Sequence, residues 1–333
     1  PAAGPHGRVH PPTDYCPAWW LPNGHAQTLW AALCRRVPPL QTRRERLELV
    51  DGDFLDLAHV GPAHAPTVLL LHGLEGSVHS PYARALLAAV AARGWHGVLL
   101  HFRGCSGELN RLARSYHSGD TGDVAWVAAH LLRTSPALAA VGYSLGGNVL
   151  LKYLGECGQA SPFCAAAAVS VPFDLSIAAD TLNRGFSQLY QRRLVDSLKD
   201  RARRKFARLP APIDLGDLAQ WNDFRTFDDR VTAPLHGFAN AAEYYARSSC
   251  RPSLRHITTP TLILHALDDP FLDPAGIPTA TELAAPVDLE LARRGGHVGF
   301  VTTARSAPAW LEHRLVDHLA KASPAHATAT RNR

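Results

Sequence analysis

The sequence predicts an α/β fold in which a mostly parallel sheet is covered by helices on both faces. Short apolar runs, each of strand length, occur at 67–72, 97–102, 138–143, 165–171, 261–267 and 287–292. Helical patterns lie between or after them, at 80–93, 119–134, 145–156 and 307–320. Continuous apolar strands that alternate with helices are typical of a parallel sheet buried on both sides.

Two further segments complete the predicted architecture. Apolar and polar residues alternate on both sides of Asp51-Gly52, which predicts an antiparallel hairpin that starts near Arg46. Residues 173–255 carry no strand pattern, and apolar side chains recur there at near-helical spacing, namely Leu189, Leu194, Leu198, Ala202, Phe206 and Leu209. We therefore expect a helical cap inserted after the sixth strand.

These patterns divide the chain into five parts. The core is expected in two pieces, 19–172 and 256–321, with the cap, 173–255, between them. Residues 1–18 are rich in proline, glycine and histidine, and we expect this segment and the tail at 322–333 to be flexible.

Composition and charge exclude some classes of function. The 333 residues are 46% apolar and 19% charged, as in an ordinary globular protein. Nine Lys or Arg and two Asp between residues 184 and 208 give +7, so with a net charge of +5 the rest of the chain carries −2. Without a generally basic surface, we expect no nucleic-acid partner.

The basic stretch at 184–208 has two interpretations. It is either a solvated helix face or a cationic helix that holds the protein weakly at an anionic membrane surface. The sequence itself favours the solvated face and leaves the oligomeric state open.

Cysteine usage and the lack of targeting patterns predict a cytoplasmic protein. No apolar run is long enough to span a membrane, and the first residues lack the apolar stretch of a signal peptide. Six widely spaced cysteines form no CxxC pair, so we expect them to be reduced. No helical His-x-x-x-His or Glu-x-x-His spacing is present, and we expect neither a metal nor another cofactor.

The segment AAVGYSLGGNVLL, residues 139–151, predicts a nucleophile at Ser144. The G-x-S-x-G pattern is weak alone, because Gly and Ser are common. Here an apolar strand ends directly before the serine and a helix starts directly after it, as a nucleophile elbow requires. Small residues on both sides allow the close backbone approach that such a turn imposes.

Candidate partners for Ser144 follow two later strands, in the order Ser, acid, His. Asp268-Asp269-Pro270 comes after the strand at 261–267, and His297 comes after the strand at 287–292. In parallel sheets, binding and catalytic residues lie in the loops at the carboxyl ends of the strands. Both aspartates remain candidates for the acid.

A glycine turn after the strand at 67–72 predicts the oxyanion hole. The backbone N–H groups of Leu74 and Leu145 are expected to bind the same substrate oxygen. Gly73, Tyr143 and Phe238 are expected to contact the substrate. Together these features predict a serine hydrolase that cleaves small-molecule carboxylic esters, with an acyltransferase and a non-catalytic ligand-binding protein as alternatives.

Cys105 and Ser106 are rival nucleophiles that also follow a strand. No helix-opening turn surrounds them in FRGCSGE, so a structural loop is favoured.

Several long blocks resemble the YheT-like branch of the α/β-hydrolases, also called AB hydrolase family four. They are LPNGHAQTLW, HGLEGSVHSPY, FRGCSGELNRLARSYHSGDTGD, GYSLGGN, FDDRVTAPLHGFANAAEYY, ALDDPF and GGHVGF. The resemblance implies the α/β-hydrolase fold and a serine hydrolase whose relatives include acetylesterases, carboxylesterases and phospholipase-like enzymes. It implies a triad of Ser144, Asp269 and His297, because the family's acid lies three residues after a small residue and is followed by proline.

Overall fold

A nine-stranded sheet forms the centre of the computed structural model, which describes residues 6–303 and 310–323. Its strands are β1 Arg8–His10, β2 Arg43–Glu48, β3 Phe54–Val60, β4 Thr67–Leu71, β5 His96–His101, β6 Leu138–Tyr143, β7 Ala165–Val169, β8 Thr261–Ala266 and β9 Val287–Ala292. The strand order is β1-β9-β8-β7-β6-β4-β5-β3-β2. Only β3 pairs antiparallel, with β2 and β5, so the predicted hairpin and mostly parallel sheet are confirmed.

The helices agree with the predicted pattern. They are α1 Gly24–Leu29, α2 Pro81–Ala92, α3 Thr121–Leu131, α4 Leu145–Cys157, α5 Leu175–Leu182, α6 Ser187–Phe206, α7 Phe224–Phe227, α8 Ala233–Leu235, α9 Ala241–Ser248 and α10 Trp310–Ala322. Short 3₁₀ helices lie at Gly158–Ala160, Leu218–Gln220, Arg251–His256, Pro274–Gly276 and Ala280–Glu282, and π-helical turns lie at Trp30–Cys34 and Asp228–Thr232. The first residues of the helix predicted at 307–320 lie outside the described residues.

Each face of the sheet has its own apolar core, because successive side chains of a strand point to opposite faces. Leu69 and Leu71 of β4 pack on one face with α3 and α4. Val68 and Leu70 of the same strand pack on the other face with α2 and α10. Helices therefore cover both faces, as the sequence predicts.

The parallel register brings several strand ends to one edge of the sheet. Leu71 of β4 lies opposite Gly142 of β6, and Tyr143 lies opposite Val169 of β7. Ala266 of β8 is likewise opposite Ala292 of β9. The loops that carry the predicted site residues thus leave the sheet side by side.

The chain between β7 and β8 is helical and has its own apolar cluster. Residues 170–260 are all described, and none of them lies in a strand. The buried residues of this apolar cluster come mainly from α5, α6, α7 and α9, for example Leu175, Val195, Phe224 and Tyr245. This insertion occupies the range predicted for the cap and is called the cap below.

The cap follows the seventh strand of the structure rather than the sixth, because β1 was not predicted. Residues 8–10 pair in parallel with β9, and Arg8 forms an ion pair with Asp288 at 2.7 Å. A three-residue strand at the edge of a sheet is too short to give an alternating pattern. The segment expected to be flexible thus contains this edge strand, while residues 1–5 and 324–333 lie outside the described residues.

Candidate active site

Ser144 occupies a strained turn between β6 and α4. Its φ of 51° and ψ of −119° lie outside the regions that non-glycine residues favour, and such strain is found at functional sites. A Cβ on Gly142 would lie 2.5 Å from the Gly146 carbonyl oxygen, and one on Gly146 would lie 2.5 Å from that of His72. Both glycines of the pentapeptide are therefore required by close backbone contact.

The three predicted catalytic side chains form one hydrogen-bonded series. His297 Nε2 lies 2.9 Å from Ser144 Oγ, and His297 Nδ1 lies 2.8 Å from Asp269 Oδ2. The side chain of Asp269 is fully buried and that of His297 is 10% exposed. A hydroxyl, an imidazole and a carboxylate in this order are able to move a proton away from the serine.

The structure distinguishes the two candidate aspartates by their contacts. Asp269 faces the His297 ring, whereas Asp268 Oδ1 accepts hydrogen bonds from the Gly295 and Gly296 N–H groups at 2.8 and 2.9 Å. Asp268 therefore fixes the loop that carries His297 and does not contact its imidazole.

Two residues that the sequence did not single out for the site also hold His297. Phe271 stacks on the imidazole, with ring centroids 4.0 Å apart and an angle of 4° between the planes, and its N–H donates to Asp269 Oδ1 at 2.8 Å. Thr28 Oγ1 accepts the N–H of His297 at 2.8 Å. Thr28 lies in the block LPNGHAQTLW, and that block is the one signal that could have pointed to it.

His72 fixes the peptide that joins Gly73 to Leu74. Burial lowers the pKa of His72 to about 3, so its ring is neutral. Its Nδ1–H donates to the Gly73 carbonyl at 2.7 Å, and its Nε2 accepts the Phe102 N–H at 3.1 Å. Because the C=O and N–H of a trans peptide point in opposite directions, this contact turns the Leu74 N–H away from His72.

Glu75, the residue after Leu74, links this loop to the cap. It is a non-glycine residue with φ of 57°. Tyr116 Oη accepts the Glu75 N–H at 2.9 Å and donates to its Oε1 at 2.8 Å. From α6, Ser197 donates to Oε2 at 2.6 Å and Arg201 lies 2.8 Å from Oε1. The backbone strain at Glu75 is thus held by a buried polar network.

A cavity of about 550 Å³ lies between the core and the cap, and Ser144, His297, Leu74 and Leu145 all line it. Its apolar wall comes from the cap through Leu175, Leu182, Leu194, Leu198, Phe224 and Phe227. This volume and lining are typical of a site for a small organic molecule.

The three predicted substrate-contacting residues have different positions. Gly73 lines the cavity, and a Cβ on it would lie 3.3 Å from that of Ser144. Tyr143 borders the cavity but is fully buried in the sheet. Phe238 lies outside the cavity wall and packs against the rings of His117 and Tyr244, with centroids 5.4 Å away in each case. Its ring thus packs within the cap, and its contact with substrate stays a prediction.

The rival nucleophiles Cys105 and Ser106 do not line the cavity. Burial raises the pKa of the Cys105 thiol to about 11, so it is protonated at neutral pH. Its sulfur instead accepts a hydrogen bond from Arg201 at 3.0 Å. The loop after β5 is thus structural.

The family model described as the alpha/beta hydrolase fold matches residues 66–304. The chain belongs to that family. It is 46% identical to YheT of Escherichia coli K12, which carries the name of an esterase, over 92% of this chain and 93% of the relative. The resemblance to YheT inferred from sequence blocks is thereby confirmed.

More distant relatives agree with this family. The human protein named phospholipase ABHD3 is 31% identical over 86% of this chain and 73% of its own length. Among solved structures, the Pyrococcus furiosus esterase Pf2001 superposes with a TM-score of 0.55 at 15% identity and covers 86% of this chain and 98% of that one. At such low identity, the match supports the fold alone.

Proposed function

We propose that the protein is a serine hydrolase that cleaves carboxylic esters through an acyl-enzyme on Ser144. The observation that carries this proposal is the series from Ser144 through His297 to Asp269, with contacts of 2.9 and 2.8 Å, at the wall of an apolar cavity. The esterase and phospholipase names of its relatives support the same class of reaction.

In the first step, Ser144 Oγ attacks the carbonyl carbon of the ester while His297 Nε2 accepts its proton. Asp269 keeps the Nδ1–H of His297 in place and stabilises the positive charge that forms on the ring. His297 then gives the proton to the departing alcohol as the C–O bond breaks.

The oxygen of the attacked carbonyl becomes negative and requires hydrogen-bond donors. The N–H groups of Leu74 and Leu145 are proposed for this role, because both residues line the cavity beside Ser144. A water that donates its proton to His297 then attacks the acyl-enzyme. The bond between the acyl carbon and Ser144 Oγ breaks, and His297 returns the proton to Ser144 as the acid leaves. The apolar wall favours an acyl chain of short to medium length.

Replacement of Ser144 by alanine tests the nucleophile. We expect Ser144→Ala to lower kcat for 4-nitrophenyl esters by about four to six orders of magnitude and to leave the thermal unfolding curve unchanged. Ser106→Ala is the matched control, because it removes a hydroxyl of the rival loop. A fluorophosphonate should label the natural sequence and the control but not Ser144→Ala.

Two results would contradict this proposal. One is ester hydrolysis that survives in purified Ser144→Ala, and the other is fluorophosphonate labelling at a different residue. Product analysis with added alcohols distinguishes hydrolysis from acyl transfer, since an acyltransferase would form the new ester in preference to the free acid.

We propose a cytoplasmic location and a weak association with anionic membranes as finer parts of this function. All six cysteines are unpaired, which fits a reducing compartment. No helix among the described residues is both long and apolar enough to cross a membrane.

The membrane association is proposed for the surface at the start of α6. There Phe186 and Leu189, 51% and 52% exposed, lie close in the chain to the exposed cations Arg184, Arg192 and Arg193.

Co-sedimentation with liposomes tests the membrane association. At low salt we expect more protein to pellet with liposomes that contain anionic lipid than with neutral ones, because the exposed arginines are attracted to the negative surface. Equal pelleting with both would contradict the association.

A further inference from the structure

The cavity has a basic end that is distinct from its apolar wall. Arg201 and Lys205 are four residues apart on α6, so they lie on one face of the helix, and both line the cavity with Ser115 and His236. Both are buried, with exposures of 9% for Arg201 and 5% for Lys205. Two cations therefore line the cavity from a helix whose other charged residues, apart from the buried Lys199, are exposed.

These two cations differ in how their charge is neutralised. Arg201 is paired with Glu75 at 2.8 Å. Within residues 6–303 and 310–323, Lys205 has no carboxylate at ion-pair distance, and its single hydrogen-bond partner is the carbonyl oxygen of Arg114. Because an ammonium carries three N–H donors, two of them have no acceptor from the described part of the protein.

The surroundings of Lys205 supply further donors, and the nearby carboxylate of Asp53, which raises the pKa of Lys205, is bound by Arg103 at 3.0 Å. Burial lowers the pKa of His236 and lowers that of His117 to about 3, so both rings are neutral. The carboxylate of Asp120 is paired with Arg114 at 2.7 Å. The Nε atoms of Arg114 and Arg201 are also buried and have no partner among the described residues.

An uncompensated buried cation is costly, so its presence requires a compensating group. Burial lowers the pKa of Lys205 to about 8, which still leaves most of the side chain charged at pH 7. An acceptor that carries negative charge would satisfy the free N–H groups and neutralise the ammonium. The described residues place no carboxylate at ion-pair distance from Lys205, whereas a molecule in the cavity is able to supply such a group.

We propose that Lys205 forms a subsite that binds an anionic oxygen group, a carboxylate or a phosphate, on the part of the ester that lies against the cap. The proposal rests on the proposed ester hydrolysis and narrows its substrate class to esters that carry a negative charge away from the bond that is cleaved. The apolar wall holds the chain between that bond and the charged end.

A pair of substrates tests the subsite through turnover. We compare 4-nitrophenyl hexanoate with the 4-nitrophenyl monoester of adipic acid, which has the same chain length and a terminal carboxylate. The natural sequence should hydrolyse the charged ester with a kcat/KM at least about tenfold higher, because one charge-assisted contact gives a preference of that order. Lys205→Met should remove this preference, so that the ratio of kcat/KM for the charged ester to kcat/KM for the neutral ester falls to about one.

Arg204→Met is the matched control, because Arg204 is an exposed cation of the same helix. It should keep the preference for the charged ester. Lys205→Met should also raise Tm, since it removes a buried unpaired charge, and a cooperative unfolding transition in that variant shows that it has folded.

Calorimetric titration with adipate and with glycerol 1-phosphate measures the subsite without turnover and separates carboxylate from phosphate. At least one anion should bind the natural sequence and not Lys205→Met. Anion binding without hydrolysis of either ester would overturn the proposed function alone. The subsite is overturned if neither anion binds, or if Lys205→Met keeps both the binding and the preference.

Discussion

The core and the cap position groups around the same cavity by different physical means. In the core, close backbone contacts hold Ser144 at a φ of 51°, and a Cβ on either flanking glycine would collide with a main-chain atom. In the cap, α6 reaches the core through buried ionised side chains, of which Arg201 on Glu75 is the clearest example. Close steric contacts therefore fix the nucleophile on the core side of the cavity. On the cap side, charged side chains fix α6 against the core.

This difference predicts different consequences of substitution. A change in the core acts on the reacting atoms, since those loops carry the hydroxyl, the imidazole and the carboxylate. A change in the cap acts on the shape and charge of the cavity. It reaches the chemistry where the cap contacts loops of the core, as at Glu75 and at the Pro270 carbonyl, which accepts a hydrogen bond from Ser187 at 2.5 Å. The predictions below separate these two effects.

The largest effect is expected in the core, at Asp269. Asp269→Asn should lower kcat by about 10⁴-fold, because an amide favours the wrong tautomer of His297 and does not stabilise its protonated ring. Asp268→Asn is the control, because an asparagine keeps an oxygen that is able to accept from the Gly295 and Gly296 N–H groups. It should lower kcat less than tenfold.

Steady-state kinetics on purified variants, with circular dichroism to verify folding, distinguishes the two aspartates. Equal losses in both variants would contradict the assignment of Asp269 as the partner of His297.

A smaller effect is expected where the cap meets the core. Glu75→Gln keeps most of the side-chain shape but leaves Arg201 as a buried charge without its partner, and breaking a buried pair costs about 3–5 kcal/mol. We expect kcat to fall by about 10²-fold, as for loss of one oxyanion-hole donor, because the peptide that carries the Leu74 N–H loses its support. KM for a neutral ester should change little.

The double variant Glu75→Gln with Arg201→Met provides the control. It should recover most of the lost Tm, since the unpaired charge is gone, but not the lost kcat. If the double variant recovers both, Glu75 acts on stability alone and has no role in positioning the loop.

The same division explains what could be predicted from the sequence. The predicted catalytic residues all lie in segments that follow a strand: Ser144 comes directly after β6, the aspartate pair comes shortly after β8, and His297 lies in the loop after β9. An apolar strand is a local pattern that a short window reveals. The predicted bounds of β6 and β9 agree with the structure, at Leu138–Tyr143 and Val287–Ala292. The strands of the core, and the loops that carry the predicted catalytic residues, could therefore be predicted from local sequence patterns.

The contacts between the cap and the core could not be predicted from local sequence patterns. Glu75 and Ser197 are 122 residues apart in the chain, and no local pattern relates them. The charged residues of α6 suggested a solvated or membrane-facing helix, yet Lys199, Arg201 and Lys205 are buried. Their direction depends on long-range partners, which charge patterning along one helix does not reveal.

The smallest effect is expected inside the cap, at Asp228. This residue accepts hydrogen bonds from Thr232 at 2.6 Å and Tyr245 at 2.8 Å, and no cation lies at ion-pair distance among the described residues. Burial raises the pKa of Asp228 from 3.8 to about 6. The folded state thus binds the proton more tightly than the unfolded state, so this group destabilises the fold as pH rises from about 4 to 6.

Above pH 6 the destabilisation is fully present, and Asp228→Asn should remove it while it keeps the side-chain shape. We expect the variant to raise Tm at pH 8 more than at pH 5 and to leave kcat/KM unchanged within about twofold, because Asp228 contacts neither Glu75 nor the His297 loop. Differential scanning calorimetry at the two pH values measures this. A gain in Tm that is equal at both would mean that the substitution acts through packing rather than through the charge of Asp228.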